Sequence, residues 1–89
     1  MAILSMFYGL IVSMYYFDIQ QHNLPHIHVK YQEQEGIFNI ITAELIAGSL
    51  PIPKTRLVQA WIEIHKDELM ANWELAVSGE NIFKIEPLK

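Results

Sequence analysis

The chain changes its hydrophobic period once, at Pro51–Ile52–Pro53, and that change limits the folds open to it. Before the break, apolar residues alternate with polar ones or stand in short blocks. After it, they recur at steps of three and four. Alternation is clearest between His26 and Gln32, where His26, His28 and Lys30 project to one side of an extended chain and Ile27, Val29 and Tyr31 to the other. Ile11 to Phe17 reads as a more continuously buried strand, with Met6 to Tyr8 as a short strand before Gly9. Ile37 to Thr42 reads as a further strand, and Leu45 to Leu50 as a short one bent at Gly48. The segments Asp18 to Pro25 and Glu33 to Gly36 are polar and read as turns. Beyond the break, Leu57, Val58, Trp61, Ile62, His65, Leu69, Trp73 and Ala76 share one helical face. Pro53 suits a helix start, where its missing N–H would have no partner, and Gly79 suits the left-handed turn that ends a helix. Ile82 to Glu86 reads as a last short strand before Pro87.

The expected architecture is α+β, in one domain over residues 1–89. A small antiparallel sheet of three to five strands (about 6–50) is covered on one face by a helical segment (about 53–78), and a short strand (about 82–86) follows. Three polar residues, His65 to Asp67, mark a break that makes the segment a kinked helix or a helical hairpin. The tryptophan-bearing helix is expected on the side of the sheet away from His26 and His28.

Composition narrows the function classes. A chain of 89 residues, 52% of them hydrophobic, can bury a core but only a modest share of its surface, so a partner protein or a homo-oligomer is expected. The absence of cysteine removes disulfides, thiolate zinc sites and cysteine nucleophiles, and fits a cytoplasmic location. Six basic residues against ten acidic ones give a net charge of −4, the wrong balance for neutralising phosphates, so nucleic acid is not an expected partner. The segment "DELMANWELAVSG" holds no Lys or Arg, which argues against a DNA-reading helix. Residues 1–17 are uncharged, but Ser5, Gly9 and Ser13 interrupt a run shorter than the roughly 20 apolar residues a membrane span needs. They carry no basic start either, and buried strands rather than a membrane or signal segment are expected.

The chemistry-bearing stretch is "HNLPHIHVKY", residues 22–31. Residues two apart on a strand share a face, so His26 and His28 project together and can share a divalent ion such as zinc if another ligand joins them. Asp18 and His22 are the nearest candidates; Glu33, Glu35 and His65 are more distant ones. The same four residues, His26, His28, His22 and Asp18, are the candidates for acid–base catalysis. A structural alternative stands beside both: the histidines face water, or one is buried and ties down the backbone around Asn23 and Pro25. "PHIHVKY" resembles the start of the histidine-triad hydrolase motif, but the third histidine position holds Lys30. There is no GxSxG nucleophile turn and no glycine-rich phosphate loop. Lys30, Lys54 and Arg56 are candidate phosphate or anion contacts, with surface solubility as the plainer reading. Trp61 and Trp73 read as core residues, or as interaction anchors if exposed, and His65 shares their face.

Taken together, "FYGLIVSMYY" (7–16), "HNLPHIHVKY" (22–31), "GSLP" (48–51), "LVQAWIEIHKDELMANWELAVSGE" (57–80) and "IEPL" (85–88) resemble a widespread small bacterial family catalogued only as a domain of unknown function. Its core is of the "DH-PPHFHV" type, followed by a W-H-EL-NW helix. The resemblance implies a free-standing cytosolic protein, often encoded beside a second small protein in an arrangement like a toxin–antitoxin pair. It points to His22, Pro25, His26, His28, Trp61, His65, Glu68, Leu69, Asn72 and Trp73. This chain departs from the pattern at Gln21 and Leu24, at Met6 and Ser13 where arginine is frequent, and at Thr42–Ala43 where Asp-Gly is frequent. Two functions are expected from this reading. The first is a protein-interaction module of a two-gene toxin–antitoxin-like or regulatory operon. The second is a metal-dependent hydrolase or ribonuclease-like toxin built on His26 and His28.

Overall fold

A computed structural model describes residues 2–14 and 24–89. In chain order they form β1 (Ala2–Phe7), β2 (Leu10–Met14), β3 (His26–Tyr31), β4 (Gln34–Asn39), β5 (Leu45–Gly48), α1 (Ile52–Ile64) and α2 (Lys66–Val77). The five strands make one antiparallel sheet in sequence order, with the two helices packed on it.

Short turns fix the register. Tyr8 and Gly9 link β1 to β2 with φ of 51° and 80°, the paired positive values of a two-residue hairpin turn that matches strand twist. Lys54 Nζ donates to Tyr8 O at 2.9 Å and sits 4.9 Å above the Tyr31 ring, tying this turn to the start of α1. Between β3 and β4 the turn needs only Gln32 and Glu33, so β4 starts at Gln34, earlier than the polar sequence there indicates. It ends at Asn39, earlier than Thr42, because Asn39 Oδ1 accepts the N–H groups of Ile41 at 2.7 Å and Thr42 at 3.3 Å and folds the chain over. Ala43 then holds φ of 64°, the left-handed conformation that the glycine of an Asp-Gly turn adopts without cost. Gly48 has no such substitute: its φ is 76° and a Cβ there would collide with Glu35 O.

A bulge between Ile3 and Ser5 turns both Leu4 and Ser5 inward. Leu4 enters the core fully, while Ser5 Oγ is buried and has no hydrogen-bond partner among the described residues. Ile27, Val29 and Phe38 from the sheet meet Val58, Trp61, Ile62 and Leu69 from the helices, all fully buried. The Trp61 ring lies 5.3 Å from that of Phe7.

The helical segment is kinked, not a hairpin. His65 alone leaves helical geometry, at φ −112° and ψ 24°, yet His65 N–H still reaches Trp61 O at 3.0 Å and Leu69 N–H reaches His65 O at 2.9 Å. Reversing direction takes a loop of about two residues or more, and the junction has one. α2 closes on Gly79, φ 78°, with Gly79 N–H to Ala76 O at 3.1 Å and Glu80 N–H to Leu75 O at 2.9 Å. Among the described residues no helix is long and apolar enough to cross a membrane.

The last expected strand does not form. Residues 80–89 carry no regular secondary structure, and one bond, Ile85 N–H to Leu4 O at 2.9 Å, joins them to β1. Side chains hold the rest of this strap. Asn72 donates from Nδ2 to Phe83 O at 3.0 Å and accepts Phe83 N–H on Oδ1 at 2.7 Å. Trp61 Nε1–H donates to Glu86 O at 2.8 Å.

Candidate functional site

Cross-strand partners share a face, so the register sorts the sheet into two surfaces. Val12, Val29 and Gly36 align beneath the helices, with Ile27 paired to Phe38 beside them. On the other face one row runs Met6, Ile11, Lys30, Glu35 and a second runs Ile3, Ser13, His28, Ile37, Ala47. The alternation of β3 places His26, His28 and Lys30 on this second face, as the sequence indicates.

The two histidines nevertheless have different surroundings. His26 is fully buried, and its Nδ1 lies 2.8 Å from Leu24 O, where a ring N–H is the only group that can donate. Its ring is 5.1 Å from Trp73 and 5.3 Å from His28. His28 is 12% exposed, and its Nδ1 faces Glu35 Oε2 at 3.6 Å, the diagonal neighbour on β4. The buried-histidine alternative thus describes His26: it ties the backbone ahead of β3. The separation of histidines from the tryptophan helix holds at Trp61, which packs on Phe7, and fails at Trp73, which meets His26.

The remaining candidates are spread over the molecule. Asp18 and His22 lie outside the described residues. Glu35 approaches His28, but among the described residues no group of three His, Asp or Glu side chains could hold a metal. Lys30 stands on the open sheet face, Arg56 is exposed on α1, and Lys54 is engaged by Tyr8 O and the Tyr31 ring rather than offered to an anion. Trp61 and Trp73 do not meet the condition for interface anchors, being 0% and 8% exposed, because both close the core and Trp61 spends its N–H on the strap. His65 sits at the kink, its ring 5.5 Å from Trp61 and its Nδ1 2.6 Å from Glu68 Oε1.

Asn72 is the residue that composition and spacing passed over, and it entered only through the resemblance. It is 3% exposed in the middle of α2, where asparagine is a poor helix former. That local mismatch was the available signal, since a buried carboxamide must find partners.

The class defined by this geometry is a small α+β domain: an antiparallel five-strand meander with a kinked helix on one face and a side-chain-held strap at its end. The chain belongs to the family described as Domain of unknown function (DUF4160), whose model matches residues 9–74, well over half its length. No curated protein and no solved structure in the comparisons matches it.

Proposed function

We propose that the chain is a protein-interaction module, one member of a two-gene toxin–antitoxin-like or regulatory pair, acting in the cytoplasm. The observation that carries this reading is the exposed part of the second sheet face, which lies beside the buried Ser13 and His26. Ile3, Met6 and Ile11 are 40%, 62% and 37% exposed there, beside Lys30 and Glu35. Apolar anchors next to charges of both signs suit a folded protein partner better than a phosphate backbone. The partner is a small protein encoded alongside, presenting an apolar patch edged by an acid and a base. Co-expression with that neighbour is the test. The wild-type chain should co-purify with it, and Met6→Asp or Ile11→Asp should abolish the complex while leaving the circular dichroism unchanged. A wild-type chain that captures nothing, or a Met6→Asp chain that binds normally, removes the reading.

A second reading, a metal-dependent hydrolase or ribonuclease-like toxin, is favoured by one observation. His26 and His28 stand side by side on one face of β3. The ring centroids, 5.3 Å apart, also suit one shared divalent ion. Complete burial of His26 weighs against its touching a substrate directly. Zinc titration by calorimetry, repeated with His28→Ala, separates the readings: binding lost in the variant supports the metal site, and no binding by the wild type ends it.

A further inference from the structure

Residues 80–89 are held in an unusual way. An added strand bonds through a backbone ladder, whereas among the described residues this segment has a single backbone bond to the sheet, from Ile85 N–H to Leu4 O. Asn72 supplies the rest of what a neighbouring strand would: its carboxamide accepts the N–H and donates to the C=O of the same residue, Phe83. Trp61 Nε1–H adds a donor to Glu86 O. Ile85 is buried and Ile82 and Leu88 are half-buried, so every third residue turns inward while Phe83, at 71%, and Lys84 face out. The body thus carries a groove that recognises an extended backbone with apolar side chains three apart.

Open surface clefts flank the segment beside Asn72 and Phe83, beside Ser5 and Ile85, and beside His65 and Leu88. The chain enters the groove through one reversal, at Gly79, whose φ is 78° and whose Cα has open space around it. Changing that conformation gives up the capping bond from Glu80 N–H to Leu75 O at the end of α2 and lets the strap leave as a unit.

We propose that this groove is a docking site for the C-terminal segment of a second copy of the chain, so that two chains exchange straps by opening at Gly79. The occupant fits because it is the segment the groove already binds. Every contact made within one chain is available between two, so the balance rests on the hinge and on the effective concentration of the tethered strap. Reciprocal exchange closes a two-fold dimer. The exchange uses the β1 edge and α2, and of the open-face residues only Ile3 and Met6 border it, so Ile11 separates it from the proposed function.

The hinge gives the first test. A β-branched residue at position 79 strains the closed turn and is relaxed in an extended hinge. Gly79→Val should therefore tighten dimerisation roughly tenfold or more relative to wild type, read by sedimentation velocity. Complementation gives the second. Asn72→Ala damages the groove and Ile85→Asp the strap, so neither chain should dimerise alone, while the mixture should form a one-to-one heterodimer. If Ile85→Asp is unfolded alone, recovery of its helical circular dichroism on mixing reports the same exchange. A third measurement uses a fluorescent peptide of residues 80–89, which should bind the Ile85→Asp chain and not the Asn72→Ala chain. A Gly79→Val chain that stays monomeric at millimolar concentration overturns the proposal. So does a dimer that survives both Asn72→Ala and Ile85→Asp, or a mixture that neither associates nor regains structure. Ile11→Asp, which tests the proposed function and lines none of these clefts, should leave the exchange intact.

Discussion

The two faces of the sheet are cut from the same five strands and obey different rules. Beneath the helices, Ile27, Val29 and Phe38 are fully buried and each is touched on all sides. On the opposite face, Ile3, Met6 and Ile11 are equally apolar yet remain 40%, 62% and 37% exposed. Residues one step apart in sequence therefore differ in whether they serve stability or are available to a partner. The difference teaches that hydrophobicity alone does not identify a core position: what identifies it is the element packed over it. His26 and His28 repeat the lesson within one face, since Trp73 covers the first and the second keeps a solvent-facing edge.

Substitutions on each face can break this contrast or sharpen it. The largest effect belongs to the covered face: Phe38→Ala should cost about 3–5 kcal/mol in urea unfolding, because it removes a fully buried ring and leaves a cavity. Total stabilities of small domains run only about 5–15 kcal/mol, so this variant should sit near its melting point at physiological temperature. His26→Ala comes next, at about 2–3 kcal/mol, since it loses the bond to Leu24 O and the contact with Trp73. Gly48→Ala should cost about 2 kcal/mol, because an L side chain there is strained and meets Glu35 O. His28→Ala, on the same strand face as His26, should cost no more than about 1 kcal/mol. Equal effects at the two histidines would mean that Trp73 does not distinguish them. The smallest effect is expected at Met6→Ser and Ile11→Ser, within about 0.5 kcal/mol of wild type by the same measurement. A large loss of stability at either would show that the open face is itself part of the core and is not available for docking.

Much of this arrangement was legible in advance, for identifiable reasons. The alternation from His26 to Tyr31 located β3 and its two faces, because a strand reverses its side chains at every residue. The three- and four-residue steps located the helices, and the polar residues at His65 located their kink. Gly79 was a stop signal and serves as one. Strand limits were less legible. Ala2–Phe7 begins four residues before the expected start, because an edge strand with a bulge has no clean alternation. The strap is not the expected strand: Ile82 and Ile85 look extended in either case, and only the position of Asn72 decides that a side chain, not a neighbouring strand, takes both hydrogen bonds of Phe83 between them. Of the candidate site, the sequence paired His26 with His28 but could not assign either an environment.

What the sequence determined by itself is local: which segments extend, which coil, where the chain turns, and which side chains share a face. Those properties follow from backbone geometry over a few residues, so they are written in the order of the letters. The tertiary structure decided which face the helices would cover, that Trp73 would shield one histidine and not its neighbour, and that Asn72 and Trp61 would bind the strap through its backbone. Burial and hydrogen-bond satisfaction depend on what arrives from elsewhere in the chain, and the hydrophobic pattern of one segment carries no record of the partner that covers it.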